Sequence, residues 1–282
     1  MSGRLPGRLA RAWLGVALIV IGAAARAGDG EPPRRVVSVN LCTDELAMLL
    51  AAPGQLVSVS HIAWDPLSNP MAAAARAYPA NFGRAEEIWL LEPDLVLAGE
   101  FTAPPVVAML RRLGVEVRRF PLATTGAEIV SNLRRMGEAL GREAAAETAI
   151  AVFEARLAAL PELDGPRPRA AIYQANGWTV GGASLGGWIL ATAGLANVAA
   201  EFGIERGGAL PLEALVMAAP DLIITGARYP GASEAEAVPR HPALKGIPSV
   251  RAVDADWVCG GPHALDAVEA MAAARLRLGR RG

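Results

Sequence analysis

Residues that bind metals or act as nucleophiles are scarce in this chain. It has three histidines, at 61, 241 and 263, and two cysteines, Cys42 and Cys259, in 282 residues. Three dispersed histidines are too few to favour a metal cage built from His side chains. In an oxidising compartment the two cysteines could pair, and otherwise they are small buried residues or ligands.

Sequence signatures of common catalytic sites are also scarce. The glycine-rich segment 181–187 lacks the Gly-Lys-Ser/Thr ending of a phosphate-binding loop, and no His-Glu-x-x-His motif occurs. His263 and Asp266 stand three residues apart at a predicted helix start, but no nucleophile accompanies them. We therefore predict that the protein is not an enzyme and carries no intrinsic cofactor.

Basic residues are too few to favour nucleic-acid binding. Lysine occurs once, at position 245, and the whole chain has a net charge of −1. Removing residues 1–27 takes away four arginines and no acid, which leaves 23 basic against 28 acidic residues and a net charge of −5. Such a chain has no general electrostatic attraction for a polyanion.

The N-terminus has the pattern of a secretory signal. Arg4, Arg8 and Arg11 precede the mostly apolar stretch 13–25, and Ala25-Arg26-Ala27 fits the small-x-small cleavage rule. We predict export and cleavage near Ala27. The alternative is an uncleaved membrane anchor, but the apolar run falls short of the ~20 residues that span a bilayer.

One phrase of the sequence occurs twice. The first copy runs from Glu86 to Leu97 and the second from Glu213 to Ile224. Each copy starts with a Glu at a helix start, continues to Pro-Asp and then enters an apolar strand. Both the Glu and the Asp recur 127 positions later, so one helix-to-strand corner is repeated about half a chain apart. A duplicated α/β unit favours a binding cleft between the copies.

Apolar strands alternate with helices in both halves, which predicts parallel sheets with right-handed crossovers. We expect an α/β fold of two three-layer lobes with mostly parallel sheets, joined by a single long backbone helix. The predicted divisions are a signal peptide at 1–27, an N-terminal lobe at 34–124, a helical linker at 125–166 with the backbone helix at 142–160, and a C-terminal lobe at 167–279. Residues 230–243 are predicted to be a polar, Pro-containing loop.

The order of these features resembles a known family. The opening Arg-Val-Val-Ser-Val-Asn at 35–40, the two Glu…Pro-Asp corners and the bridging helix are similar to periplasmic substrate-binding proteins of ABC importers for ferric siderophores, haem and vitamin B12. The resemblance covers residues 34–278. It implies a periplasmic, monomeric receptor that holds its ligand in a shallow cleft, closes little, and works with a permease and an ATPase in the inner membrane.

The resemblance also implies roles for the two repeated glutamates. Glu86 and Glu213 match the family's two docking glutamates, one on each lobe, which contact Arg pockets of the permease. Two exposed carboxylates can orient a basic partner without depending on the cargo. The alternative is that each Glu only favours a helix start through the helix dipole.

Ligands of open α/β sheets bind outside the carboxyl ends of the strands, which selects the loops after each strand. The predicted cleft residues are Asn40, Cys42, His61, Trp64, Arg84, Trp178, Ser184, Arg228, Tyr229, Trp257 and His263. The aromatic members suit a large planar or macrocyclic ligand. Taken singly, each aromatic residue is more often a local packing residue.

The polar members of this set leave several alternatives open. Arg84 and Arg228 either hold anionic groups of the ligand or are solvated surface charges. His61 and His263 are the candidates to coordinate a metal of the ligand, and the alternative is a polar lining. We expect no disulfide between Cys42 and Cys259, because it would tie the two lobes together.

The sequence thus predicts a receptor for a metal chelate that carries Fe or Co, with a ferric siderophore or a corrinoid such as vitamin B12 ahead of haem. One alternative is a periplasmic sensor or adhesin that reuses the same fold. Another is a metal-dependent periplasmic hydrolase, which would need a third strong ligand near His61 and His263.

Overall fold

Short apolar strands alternate with helices along the whole of the chain that the computed structural model describes, which is residues 31–162, 164–226 and 233–279. The predicted signal peptide at 1–27 lies outside these residues, as do Arg228 and Tyr229. Within the described ranges, no helix has both the length and the apolar character needed to cross a membrane.

The strands build two parallel sheets and one antiparallel pair. The described strands are β1 Val36–Ser38, β2 Leu56–Ser60, β3 Ala80–Asn81, β4 Leu95–Gly99, β5 Glu116–Phe120, β6 Arg169–Ile172, β7 Trp178–Val180, β8 Ala196–Asn197, β9 Gly207–Ala209, β10 Leu222–Thr225 and β11 Ser249–Arg251. The first sheet has the order β3-β2-β1-β4-β5 and the second has the order β11-β10-β6-β8. All pairs in both sheets are parallel, and β7 pairs with β9 in antiparallel fashion.

Helices follow most of the strands. The described α-helices are α1 Leu41–Leu50, α2 Ala72–Ala75, α3 Ala85–Trp89, α4 Pro104–Arg112, α5 Gly126–Leu140, α6 Glu143–Ala158, α7 Leu185–Thr192, α8 Leu212–Ala218, α9 Glu234–Ala237 and α10 Ala264–Gly279. The predicted α/β class with mostly parallel sheets is confirmed. We call the first sheet with α1–α4 the N-terminal half, and the second sheet with β7, β9 and α7–α10 the C-terminal half.

The segment between the sheets consists of two helices packed against each other, α5 and α6. Helix α5 contacts α1 of the N-terminal half, and α6 contacts α10 of the C-terminal half. Arg156 of α6 pairs with both Asp266 (2.6 Å) and Glu269 (2.9 Å) of α10. The helix predicted at 142–160 is therefore present as α6, with α5 packed beside it.

One apolar core runs through both halves. Alternate residues of each strand point to opposite faces: Leu95 and Leu97 of β4 join a cluster that also contains Ile172 of β6, whereas Val96 belongs to a separate cluster on the outer face. The shared cluster continues through Ile129 of α5. Since the inner faces of the two sheets bury their side chains in one cluster, separating the halves would expose apolar surface to water.

The prediction of a loop at 230–243 is wrong for those of its residues that the structure describes. Residues 233–244 contain α9 and two 3₁₀ turns, Val238–Arg240 and Pro242–Leu244. Pro239 and Pro242 each occupy the first turn of a helical segment, where the missing N–H of proline costs no hydrogen bond. Proline is common in loops, which is why the sequence favours a loop here, but these two prolines begin 3₁₀ turns.

A disulfide joins Cys42, in the first turn of α1, to Cys259, shortly before α10, with Cα atoms 5.2 Å apart. The expectation that these residues would not pair is wrong. The two positions already meet where the halves share their core, so the bond can form without drawing the halves together. It closes a chain separation of 217 residues.

We expect the double variant Cys42→Ala with Cys259→Ala to lower the free energy of unfolding by about 2–4 kcal/mol, because the disulfide restricts a long loop of the unfolded chain. Urea unfolding followed by circular dichroism measures this loss. Reduction of the wild-type protein is the control and should give a similar loss. Detection of two free thiols in the unreduced, unfolded protein would contradict the disulfide.

Candidate functional site

A cavity of about 1040 Å³ lies at the carboxyl ends of β6, β10 and β11. The N-terminal half contributes Leu67, Ser68 and residues 122–124, and the C-terminal half contributes the larger share of the lining. The cavity therefore lies between the halves, at the strand ends that the parallel-sheet rule selects.

Two of the tryptophans named as cleft candidates, Trp178 and Trp257, line the cavity. Trp178 of β7 is 49 % exposed, and a Cβ added to Gly207 of β9 would come 2.8 Å from its ring. Trp257 packs near Gly186, where an added Cβ would lie 3.7 Å from the Trp257 ring and 2.7 Å from Val180. Glycine at 207 thus leaves room for the Trp178 ring, whereas glycine at 186 avoids a clash with the Val180 side chain.

The charged side chains in the remaining lining of the C-terminal half are mostly cationic, and none of these cations was predicted from the sequence. The charged side chains and the histidine that line the cavity are Arg206, Glu236, Arg240, His241, Lys245, Arg251 and Asp254. Arg240 lies 3.7 Å from Glu236, and the cations outnumber the acids. This wall favours a ligand with anionic groups. Arg251 ends β11, so the strand-end rule could have identified it.

His241 lines the cavity, and one of its ring nitrogens accepts a hydrogen bond. Its Nδ1 accepts a hydrogen bond from the backbone N–H of Ala243 at 3.2 Å. A neutral imidazole that accepts at Nδ1 carries its proton on Nε2. In this arrangement neither ring nitrogen offers a free lone pair to a metal.

Ser184 lines the cavity and also caps α7. Its Oγ accepts from the backbone N–H of Gly187 at 3.0 Å and donates to the carbonyl of Gly181 at 2.6 Å. Residues 182–186 match the Gly-x-Ser-x-Gly pattern of hydrolase nucleophile elbows, which places the Ser on a strained turn. The backbone of Ser184 is extended, with φ −143° and ψ 163°, so the strain that exposes such a nucleophile is absent here.

The predicted cleft residues of the N-terminal half lie at strand ends but do not line the described cavity. His61 is exposed and its ring stacks on Phe82, with ring centroids 4.8 Å apart. The Trp64 indole donates to the carbonyl of Ala75 at 3.0 Å, and the guanidinium of Arg76 lies 5.2 Å from the ring centroid. Trp64 therefore has local packing partners.

The other predicted polar residues have mainly local contacts. Asn40 caps α1 by accepting from the N–H of Cys42 at 3.1 Å. Arg84 is exposed and precedes α3. Nδ1 of His263 lies 3.4 Å from the Asp266 carboxylate. Among the described residues, no group of three or more His, Cys, Asp or Glu side chains could hold a metal ion. Cargo contacts by these residues remain predictions.

The comparisons with known proteins identify the family. The model of the periplasmic binding protein family matches residues 36–254. The chain belongs to this family. A cobalamin-binding protein of Halobacterium salinarum is 29 % identical over 204 residues, which cover 70 % of this chain and 55 % of that protein. The chain thus spans little more than half the length of this curated relative.

Two solved structures share the fold. A periplasmic heme-binding protein from Pseudomonas aeruginosa is 26 % identical with a TM-score of 0.69, covering 86 % of this chain and 92 % of its own. The apo form of the periplasmic heme-binding protein RhuT from Roseiflexus sp. RS-1 is 22 % identical with a TM-score of 0.72, covering 87 % and 98 %. These similarities agree with the two-lobe architecture of the family.

Buried carboxyl groups lie at the junction of the halves, next to the disulfide. Glu45 of α1 is 3 % exposed, and its Oε1 has no hydrogen-bond partner among the described residues. Burial, followed by repulsion from Asp44 and Asp256, raises the pKa of the Glu45 carboxyl to about 8. Burial also raises the pKa of Asp44 to about 6, although hydrogen bonds from Ser38 and Ser60 oppose the shift.

We expect Glu45 to make the stability of the protein fall with rising pH. The folded protein keeps the Glu45 proton until about pH 8, whereas the unfolded chain loses it near the ordinary pKa of 4.5. Between these values the folded state binds more protons, so the free energy of unfolding decreases as pH rises through this window. Glu45→Gln removes the ionisation and should stabilise the protein by about 1–3 kcal/mol at pH 8.

Urea unfolding of wild type and Glu45→Gln from pH 4 to pH 9 tests this expectation. The exposed Glu138→Gln is the matched control and should follow the wild-type profile. Parallel profiles of wild type and Glu45→Gln across this range would show that Glu45 does not hold its proton in the folded state.

Proposed function

We propose that this protein is the cargo-binding component of an ABC importer, and that it captures a metal chelate in the cavity between its two halves. The observation that carries the proposal is a cavity with two tryptophans and a cationic wall in a member of the periplasmic binding protein family. Its volume of about 1040 Å³ is at the upper end of small-molecule sites, which suits a macrocycle. The protein acts by binding and not by catalysis.

Among metal chelates, a corrinoid is the first candidate. The relative from Halobacterium salinarum is a cobalamin-binding protein. The cations of the cavity wall suit the phosphodiester of cobalamin, and the indole rings suit the apolar faces of a macrocycle. Haem is the second candidate, because the Pseudomonas aeruginosa structure is of a heme-binding protein. It ranks below a corrinoid because Nδ1 of His241 already accepts a hydrogen bond from the backbone of Ala243. A ferric siderophore remains the third candidate.

The proposal includes the cellular setting. The receptor works as a monomer in the periplasm and delivers its cargo to a permease and an ATPase in the inner membrane. Export through the predicted signal at 1–27 is consistent with that location, and a disulfide is stable in such a compartment. We infer lobes at 34–124 and 167–279, and the shared core between them supports little closure on binding.

Calorimetry and thermal shift with cyanocobalamin, cobinamide, haemin and ferrichrome test the cargo. We expect a corrinoid to bind with a Kd of about 1 µM or tighter and to raise the Tm. Haemin binding without corrinoid binding would reverse the order of candidates. Failure of all four to bind would overturn the proposed function.

We predict that Trp178→Ala weakens cargo binding about tenfold, because the ring loses its stacking contact with the macrocycle. Trp89→Ala is the matched control, since Trp89 is also 49 % exposed but lies on α3 and not in the cavity. Titration calorimetry compares the two variants without relying on tryptophan fluorescence. Equal affinities for Trp178→Ala and wild type would exclude Trp178 from the binding site.

We further infer that Glu86 and Glu213 dock the receptor onto the permease. Both are exposed, and neither carboxylate forms a hydrogen bond or ion pair with the residues that the structure describes. Glu86→Gln with Glu213→Gln should leave cargo affinity unchanged and reduce uptake at low cargo concentration, because each exposed pair contributes about 1 kcal/mol. Raised salt should have a similar effect through screening.

Uptake of radiolabelled cargo by cells carrying the chromosomal variant measures this effect. Glu138→Gln with Glu154→Gln removes two exposed carboxylates elsewhere and should transport normally. Wild-type uptake by the Glu86 and Glu213 double variant would leave only the helix-start role, in which case the variant should melt slightly lower than wild type.

A further inference from the structure

The disulfide between Cys42 and Cys259 attaches one wall of the cavity to the other half of the protein. Trp257 and Val258 line the cavity and immediately precede Cys259 in the chain. Cys42 lies in the first turn of α1, which belongs to the N-terminal half. Because the bonded cysteine is the chain neighbour of a cavity-lining residue, a displacement at the disulfide passes directly to the cavity wall.

The second sheet fixes the other end of this wall. The backbone N–H of Ala252, which follows β11, donates to the carbonyl of Thr225 in β10 at 2.8 Å. Between this hydrogen bond and Cys259 the chain forms the 3₁₀ turn Asp254–Trp257. We call residues 253–258 the wall segment. The wall segment is thus held by the sheet at one end and by the disulfide at the other.

The residue after the disulfide contacts the opposite wall of the cavity. A Cβ added to Gly260 would overlap the carbonyl oxygen of Ala123 and lie 2.7 Å from the Ala123 Cβ, so the two backbones are in tight contact. Ala123 belongs to residues 122–124, which line the cavity from the N-terminal half. The two walls of the cavity therefore meet beside the disulfide, which fixes one wall relative to the other.

Polar contacts do not duplicate this link. Within the part of the chain that the structure describes, α1 forms no hydrogen bond or ion pair with residues 255–261. A Cβ added to Gly261 would come 3.1 Å from Oε2 of Glu45, but Oε1 of Glu45 has no hydrogen-bond partner among the described residues. Asp44 and Asp256 repel an ionised Glu45. The wall segment is therefore held on α1 by apolar packing and by the disulfide.

We propose that the disulfide positions the wall segment for cargo, so that the oxidised protein binds cargo tightly and a dithiol that reduces the bond lowers the affinity. This proposal rests on the proposed function. The shared apolar core keeps the halves together without the disulfide, so the effect of reduction is confined to the wall segment and Trp257. Cargo must then order the wall segment as it binds, and this ordering costs affinity.

The chemistry of this switch is thiol–disulfide exchange. Cys42 is half-buried and Cys259 is buried, so a thiolate of the dithiol attacks Sγ of Cys42. The S–S bond breaks, and the Cys259 sulfur leaves with the bonding electron pair and takes up a proton. The second thiolate of the reductant then displaces Cys42 from the mixed disulfide. The receptor gains two electrons and ends with two thiols, and the reductant ends as a disulfide.

Titration calorimetry compares the oxidised protein with Cys42→Ser plus Cys259→Ser, using whichever of the four chelates binds. We expect the Kd of the serine variant to be about tenfold higher at a temperature where circular dichroism shows both proteins folded. The variant needs no reductant, which would otherwise react with the metal of the cargo. Equal Kd values for the two proteins would overturn the proposal.

A variant that lowers stability elsewhere separates positioning from a general loss of stability. Leu110→Ala removes buried side-chain atoms from the outer cluster of the N-terminal half, away from the cavity. It should lower the Tm, because it leaves a cavity in that cluster, and keep the wild-type Kd. A rise in Kd as large as that of the serine variant would assign the effect to lost stability and overturn the positioning role.

A measurement without cargo separates this inference from the cargo assignment. Fluorine NMR of the protein labelled with fluorotryptophan reports on each indole, and Trp257→Phe assigns the Trp257 resonance. Dithiothreitol should shift that resonance and leave Trp89 of α3 unchanged, and the serine variant should show the reduced spectrum without reductant. If none of the four chelates binds, the cargo assignment fails and this spectrum decides: a Trp257 resonance that does not respond to dithiothreitol would show that the disulfide does not position the wall segment.

Discussion

The apolar core shared by the two sheets is the constraint on which the rest of the structure depends. Leu97 of the first sheet and Ile172 of the second contribute to one buried cluster, with Ile129 of the connecting helix α5 between them in sequence. Any motion that separated the halves would expose this surface to water. The disulfide adds a covalent link at the same junction. The shared core therefore fixes the walls of the cavity relative to each other.

The two halves repeat one architecture but line the cavity with different side chains. The second sheet and its neighbouring turns supply Trp178, Trp257 and the cations, whereas the first half supplies Leu67 and the residues around Leu122. The helix-to-strand corners recur in both halves, each with a non-glycine residue in the left-handed conformation after its helix, while the strand-end loops differ. Residues of the strand-end loops can therefore change without altering the geometry of the corners.

Features that depend on local periodicity could be predicted from the sequence, and features that depend on tertiary proximity could not. Apolar runs such as Leu95–Gly99 and the repeated Pro-Asp corner gave the sheets, and the strand-end rule selected Trp178, Ser184 and Trp257. The disulfide spans 217 residues, so no local pattern indicates it. Arg240 lies in the segment predicted as a loop, and Arg206 and Lys245 lie beside short elements, β9 and the turn Pro242–Leu244, that no sequence pattern indicated. The lobe limits at 34–124 and 167–279 remain predictions.

The acidic junction shows how the disulfide and the core depend on each other. Asp44 and Glu45 belong to the N-terminal half and Asp256 to the C-terminal half, so full ionisation would place like charges on both sides of the contact. Burial opposes that ionisation by raising the pKa of each of the three carboxyls. A protonated Glu45 leaves the junction with one negative charge fewer, and Cys42, three residues earlier on the same helix, is bonded across it. At alkaline pH, where Glu45 ionises, repulsion between the carboxylates would weaken the junction, and the disulfide lies at this place. The disulfide therefore helps to keep the shared core, and with it the cavity, intact.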